Sequence, residues 1–278
     1  MIGNKMIFVT LLVVTISQMQ HVSAQHMSVG AEAAGTGFAN VALKGRMGVW
    51  GNAAALYGLS TPQILVGYEN RYGISEGLHS ISAAYLHPLK SSALAVSFYR
   101  FGDELYSQHK VSLAMGHQIS QFAAGLRLNQ YQFHTEGTDT RYATTVDFGG
   151  MAQLLPELAF GMQLTNINQA RVSRETGERI PTILSLGFRY EPDKKLTILS
   201  ELAYDLDKRP QLKAGMAYQP LKNITFRSGF NTGTEGRLFL GMGLEHSVII
   251  IDYALETHAV LGISQHVGMA YKLRKHGS

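Results

Sequence analysis

Between Leu212 and Glu245 the chain alternates apolar residues with small or charged ones three times over, and this period of two restricts the fold more than any other feature. In the first run Leu212, Ala214, Met216 and Tyr218 share one face, opposite Lys213, Gly215 and Ala217. In the second, Ile224, Phe226 and Phe230 oppose Thr225, Arg227 and Gly229. In the third, Leu238, Leu240, Met242 and Leu244 oppose Arg237, Phe239, Gly241 and Gly243. Successive side chains leave a pleated strand on opposite sides, so the pattern predicts three strands. One apolar face and one of small and charged residues suit a sheet with lipid outside and a polar lumen inside. The two connectors differ in kind: Tyr218-Gln-Pro-Leu-Lys-Asn223 is a compact turn, and Asn231-Thr-Gly-Thr-Glu-Gly236 is a polar loop.

The same unit recurs from Gln63 onward. Strand-like runs fall at about 63–70, 78–86, 92–101, 107–116, 121–132, 142–152, 157–166, 182–190, 195–205, 210–219, 223–231, 236–245, 248–256 and 264–273. The total is fourteen, an even number, as in single-chain bacterial outer-membrane barrels. Tight connectors, such as His87-Pro-Leu-Lys90, Gln118-Ile-Ser-Gln121 and His246-Ser247, alternate with longer polar ones, such as 135–141 and 168–179. A barrel with a turn end and a loop end requires that alternation. The predicted fold is therefore all-β: a transmembrane antiparallel barrel of about fourteen strands over 63–273, with 274–278 as a tail.

Composition sets bounds around this reading. The 29 glycines and 7 prolines fit strands packed closely at a curved surface. Lys plus Arg exceed Asp plus Glu by 24 − 20 = 4, too few and too dispersed for a nucleic-acid partner. Cysteine is absent, which excludes disulfides, thiolate metal sites and a Cys nucleophile. At the N-terminus, Lys5, the apolar stretch 6–16 and Val22-Ser-Ala24 have the three parts of a secretory signal with cleavage after Ala24. No later segment is apolar and long enough for a membrane helix, so a membrane role requires a barrel.

Residues 25–62 are unlike the rest: rich in Ala and Gly, without sustained alternation, and holding the only tryptophan, Trp50. Asn52 is placed to cap a short helix through Leu56 or Tyr57, stopped by Gly58. The Ala-Ala-Gly35-Thr-Gly37 start, the Val41-Ala-Leu run and Trp50-Gly-Asn52-Ala-Ala-Ala-Leu56 resemble the N-terminal region of the FadL-like outer-membrane superfamily. Within it the match looks closest to the PorV/PorQ-type proteins of type IX secretion in Bacteroidetes. Those more often carry Asn-Pro-Ala with Asp residues shortly before it. Here Ala53 follows Asn52, and Lys44-Gly-Arg46 stands where the acidic pair would be. The resemblance implies that 25–62 is a hatch filling the lumen, with Gly35, Gly37, Trp50, Asn52 and Leu56 as its marker residues. It further implies an accessory role in protein secretion or surface attachment, with secretion-system proteins as partners, in the outer membrane of a Bacteroidetes-like Gram-negative cell. The alternative it leaves open is a FadL-like channel for hydrophobic small molecules, with such a molecule as ligand.

The last run, His266-Val-Gly268-Met-Ala-Tyr271-Lys-Leu273, resembles the C-terminal signal by which barrel-assembly machinery recognises outer-membrane proteins, with Leu273 in place of a final aromatic. Tyr85, Tyr190 and Tyr218 precede Pro-containing turns with lysine and are expected at one lipid–water boundary among outer-membrane lipids. Tyr68, Phe101, Tyr131, Tyr142, Tyr204 and Phe230 are expected to form the girdle at the other. The register that sends apolar residues outward sends Arg189, Glu201, Lys213, Arg227, Arg237 and Asp252 inward. There opposite charges at similar heights can pair, and hatch backbone N–H groups can reach the carboxylates. Chemistry is nearly absent. The eleven histidines form no HExxH spacing, His79-Ser80 and His109-Lys-Val-Ser112 lack a third catalytic member, and the Gly-x-Gly pairs lack a βαβ context. No enzyme, cofactor or metal is expected.

Overall fold

The computed structural model describes residues 29–73, 78–173, 177–206, 208–233 and 236–273. The expected signal peptide 1–24 and the tail 274–278 lie outside the described residues. The strands are β1 (Gln63–Asn70), β2 (His79–Pro88), β3 (Ser92–Gly102), β4 (Tyr106–Ile119), β5 (Phe122–Thr135), β6 (Arg141–Leu155), β7 (Leu158–Thr165), β8 (Ile183–Asp193), β9 (Leu196–Asp205), β10 (Gln211–Leu221), β11 (Ile224–Asn231), β12 (Arg237–His246), β13 (Ile249–His258) and β14 (Gly262–Lys272). Each pairs antiparallel with its sequence neighbours. The sheet closes when β1 pairs β14 from Gln63↔Lys272 to Asn70↔Gln265. Closure leaves no unpaired edge in the bilayer, where an orphaned N–H or C=O costs several kcal/mol. The expected all-β barrel of fourteen strands is the observed fold.

The burial pattern is that of a membrane wall. On β10, Leu212, Ala214, Met216 and Tyr218 are exposed while Lys213 and Gly215 are buried. On β12, Leu238, Leu240, Met242 and Leu244 are exposed while Phe239 and Gly243 are buried. A contiguous apolar exterior on this scale is untenable in water and is what a bilayer requires. Leu240 is 63% exposed, so Leu240→Arg is expected to cost about 2–4 kcal/mol near mid-bilayer, measured by urea unfolding of the barrel in lipid vesicles. Unchanged stability would mean that the register is shifted by one residue.

Tight connectors follow every even-numbered strand, and both the entry to β1 and the end of β14 lie at that turn end. Ser120 and Ser247 adopt left-handed φ of 57° and 54° in two of these turns, as primed hairpin turns demand. The turn end is periplasmic and the loop end extracellular by the usual asymmetry of such barrels. At the loop end, β4, β5 and β6 run to 14, 14 and 15 residues and rise above their neighbours.

Two expected girdle aromatics face inward instead. Phe101 on β3 shares the parity of the buried Ser97 and Tyr99, and its ring lies 4.6 Å from the Arg71 guanidinium. Tyr131 on β5 shares the parity of the buried Arg127 and Asn129, and it stacks on Phe133 at 5.8 Å. Height along a strand does not decide which face a side chain takes; parity does. Tyr68, Tyr142, Tyr204 and Phe230 face outward, as do Tyr85, Tyr190 and Tyr218 at the turn end.

Candidate functional site: the lumen and its inner segment

Residues 29–62 lie inside the barrel and make nearly a full lap of its wall. The lap is possible because eight strands each present an inward glycine where the segment touches. Built Cβ atoms at these positions would collide with it, mostly with its main chain. The contacts run in order: Gly35 at Gly241 of β12, Gly37 at Gly229 of β11, Thr36 at Gly215 of β10, and Val41 at Gly187 of β8 and Gly161 of β7. They continue with Asn52 at Gly149 of β6, Ala54 at Gly125 of β5, and Ala53 at Gly116 of β4. At Gly125 an added Cβ would stand 2.2 Å from Ala54 N, and at Gly229 2.2 Å from Gly37 N. The register lines several of these up across the ladders, with Gly116 opposite Gly125, Gly125 opposite Gly149, and Gly215 opposite Gly229. The small residues of the segment and the glycines of the wall are two halves of one packing arrangement. Between these contacts a 3₁₀ turn, Arg46–Val49, projects into the lumen, and a second, Ala53–Gly58, leads out toward β1.

Polar groups fasten the segment at fixed points. The Glu201 carboxylate on β9 accepts the N–H groups of Asn40 and Val41, each at 2.9 Å, and its other oxygen accepts from Lys213 Nζ at 2.8 Å. Lys213 and Glu201 are direct register partners. Asn52 Oδ1 accepts from Ala54 N, capping the second 3₁₀ turn. Its Nδ2 donates to Val41 O at 2.7 Å, with the wall carbonyls of Gly150 and Met162 at 3.1 and 3.2 Å. Arg127 of β5 holds the Val49 carbonyl at 3.1 Å while paired with Asp147 of β6. Opposite, Glu32 and Arg46 of the segment join Arg227 and Asp252 of the wall in a four-charge cluster. Arg46 lies 2.7 Å from Glu32 and 2.8 Å from Asp252, and Arg227 lies 2.8 Å from Asp252. Arg227 on β11 reaches Asp252 on β13 by crossing β12 at Gly243, where a Cβ would stand 2.7 Å from each partner. Charges buried in this way are tolerated because each lies against at least one opposite charge.

The six expected lumenal charges therefore have these places. Lys213, Glu201, Arg227 and Asp252 touch the segment or pair with a residue that does. Arg237 pairs with Glu256 at 2.5 Å in the loop-end half, and Arg189 lies 3.6 Å from Glu191 toward the turn end. Of the expected hatch residues, Gly35, Gly37 and Asn52 make the wall contacts above, and Leu56 and Trp50 are buried in the lumenal apolar cluster with Ala33, Ala34 and Phe38. In the C-terminal run His266 and Gly268 point inward and Tyr271 outward. His266 Nε2 lies 3.3 Å from Glu256, Gly268 faces Ala31, and the Leu273 N–H donates to Pro62 O at 2.8 Å. Sequence reasoning missed Glu32, Arg46, Arg127 and Asp147. The last two could have been found by extending the parity rule to β5 and β6. The first two lie in a segment with no period to read.

Above the segment, at the loop end, a cavity of about 230 Å³ opens among β8–β14 and β1. Four apolar residues line it, Phe38 of the segment with Ile183, Ala203 and Phe239. Charged residues line it at the same levels, among them Glu69, Arg71, Lys213 and Arg237, with Asp205 the register partner of Ile183 and Glu256 that of Phe239. The Phe38 ring meets Phe239 edge-on at 5.7 Å and His266 at 5.9 Å. The other half of the loop end is covered by the β7–β8 connection, where Val172 and Ile180 pack on Phe133 and Ala143. No group of three potential metal ligands occurs among the described residues.

No protein-family model and no curated protein matches the chain. Solved structures do. The toluene transporter TodX of P. putida superposes with a TM-score of 0.72 at 10% identity, covering 91% of this chain and 100% of that one. The toluene transporter TbuX of Ralstonia pickettii gives 0.67 at 10% identity, covering 89% and 99%. A FadL homologue of Pseudomonas aeruginosa gives 0.62 at 10% identity, covering 89% and 99%. At such identities the likeness is one of fold. It bears out the barrel fold expected from the strand pattern. It lends no support to the PorV/PorQ-type assignment, to secretion partners or to a Bacteroidetes source.

Proposed function

We propose that the protein is a gated outer-membrane channel for a compact small molecule with an apolar body, which binds in the loop-end cavity and passes when the inner segment yields. One observation carries this reading: Phe38, which lines the cavity, belongs to the segment that occupies the lumen. A ligand seated on Phe38 and Phe239 is in direct contact with the element that must move. At about 230 Å³ the cavity lies below the usual range for drug-sized ligands, which suits a compact one. The solved structures of similar fold include toluene transporters, which supports an apolar body for the ligand. The charged residues beside Phe38 and Phe239 add a polar constraint on the ligand.

Trp50 is the only tryptophan and sits in the segment, so its emission reports ligand arrival without a label. Titration with a monoaromatic hydrocarbon is expected to shift Trp50 emission saturably, whereas a neutral sugar is expected to leave it unchanged. Phe38→Ala is expected to weaken the hydrocarbon response about three- to tenfold, the worth of an aromatic contact of about 0.5–1.5 kcal/mol. A response to the sugar, or none to any apolar compound, would contradict the proposal.

A further inference from the structure

Within the regular ladders, the Lys, Arg, Asp and Glu side chains of the described residues follow the inward parity, with one exception. Arg100 on β3 shares the outward row of Leu94, Val96 and Phe98, and it is exposed. It forms no ion pair or hydrogen bond among the described residues. Its direct cross-strand partner on β4 is His109, which also faces outward. His134 on β5, opposite Ser107, lies diagonally above His109 on the same face. Two other outward histidines are hydrogen-bonded: His87 Nδ1 meets Tyr85 OH at 3.0 Å, and His117 Nδ1 meets Ser92 Oγ at 2.7 Å. His109 Nε2 is buried and has no partner. The face between β3 and β5 thus offers a guanidinium fork and an unused ring nitrogen, with no carboxylate beside them. The acids nearest in sequence, Asp103 and Glu104, lie in the loop above.

Height identifies what meets this cluster. Arg100 is eight residues beyond Ser92 at the turn end, about 27 Å along the strand at 3.4 Å per residue. A tilt of about 40° reduces this to about 21 Å of height, near the top of an apolar band about 25 Å tall. Below it Phe98, Val111, Leu113 and Leu128 form an apolar slope. At that level the guanidinium reaches the headgroup region, where anions lie within range. We propose that Arg100 and His109 bind a phosphate of the phosphorylated glycolipid of the outer leaflet, with its acyl chains on the apolar slope. The guanidinium offers two parallel N–H donors to phosphate oxygens, and the imidazole of its cross-strand partner His109 stands beside it on the same face. The inference rests on the barrel's place in the outer membrane and is independent of what passes through the lumen.

The test uses the folded full-length protein in detergent, with bound lipid measured by native mass spectrometry. Diphosphoryl lipid A is expected to remain bound, while dephosphorylated lipid A and phosphatidylglycerol are lost at the same activation energy. Millimolar inorganic phosphate is not expected to displace it. Arg100→Gln is expected to lower lipid A affinity at least about tenfold, the value of a charge-assisted hydrogen-bond pair, while heat-modifiable migration on gels is unchanged. Should Arg100→Gln fail to assemble, His109→Gln serves, with an expected loss of about threefold. Equal retention of the dephosphorylated lipid or of phosphatidylglycerol, displacement by free phosphate, no retention of lipid A by the unaltered protein, or unchanged affinity in the variants would each overturn the assignment.

Discussion

Replacing Gly125 with valine is expected to expel the inner segment from the wall and make the barrel leaky. A Cβ at Gly125 stands 2.2 Å from Ala54 N and 2.4 Å from Ala53 C, contacts with main chain that no side-chain rotation relieves. The barrel ladder does not pass through that Cβ, and β4 and β5 pair over fourteen rungs around it, so strand pairing survives. What yields is the segment, whose second 3₁₀ turn packs there. Liposomes holding the variant should swell in small sugars at rates far above those with the unaltered protein. Gly268→Ala is the control. Its Cβ meets Ala31 Cβ at 3.4 Å, an ordinary contact, and it should leave permeability unchanged. If Gly125→Val stays as impermeable as the parent while folding normally, the segment is not what blocks passage.

Glu201→Ala should loosen the inner segment more than removal of its own ion-pair partner does. The Glu201 carboxylate takes two backbone N–H groups and Lys213 Nζ, so its loss orphans three donors at once. Breaking a buried pair from the side that leaves an uncompensated charge costs about 3–5 kcal/mol. Lys213→Met is milder because Glu201 keeps both N–H donors from the segment. Hydrogen exchange at residues 36–42 should therefore accelerate strongly in Glu201→Ala and only modestly in Lys213→Met. Equal effects, or a larger one for Lys213→Met, would show that the carboxylate does not anchor the segment.

The barrel was readable from the sequence because lipid and lumen impose opposite chemistry on alternate residues, and a period of two survives every local irregularity. Lys213 against Leu212 and Arg227 against Phe226 were each enough to orient a strand. Once parity is known, the inward direction of Glu201 and Asp252 follows. Which charge meets which did not follow, because Arg227 finds Asp252 across an intervening strand through Gly243, and no single-strand pattern records such a crossing. The aromatics at the loop end misled where height was read without parity, at Phe101 and Tyr131. The segment was recognisable only as small-residue-rich. Its lap of the wall depends on a row of glycines scattered over eight strands, each unremarkable alone. Phe38 carries no sequence signal for the cavity it lines. Its role emerges from the fold bringing it beside Phe239 and His266.

Ion current through the intact protein in a planar bilayer tests the central claim most directly, namely that the inner segment closes the lumen until it is displaced. The account predicts little steady conductance from the unaltered protein, and large stable steps from Gly125→Val under the same voltage and salt. A large, stable, ungated current from the unaltered protein would contradict it, and would mean that the wall charges line an open aqueous pore.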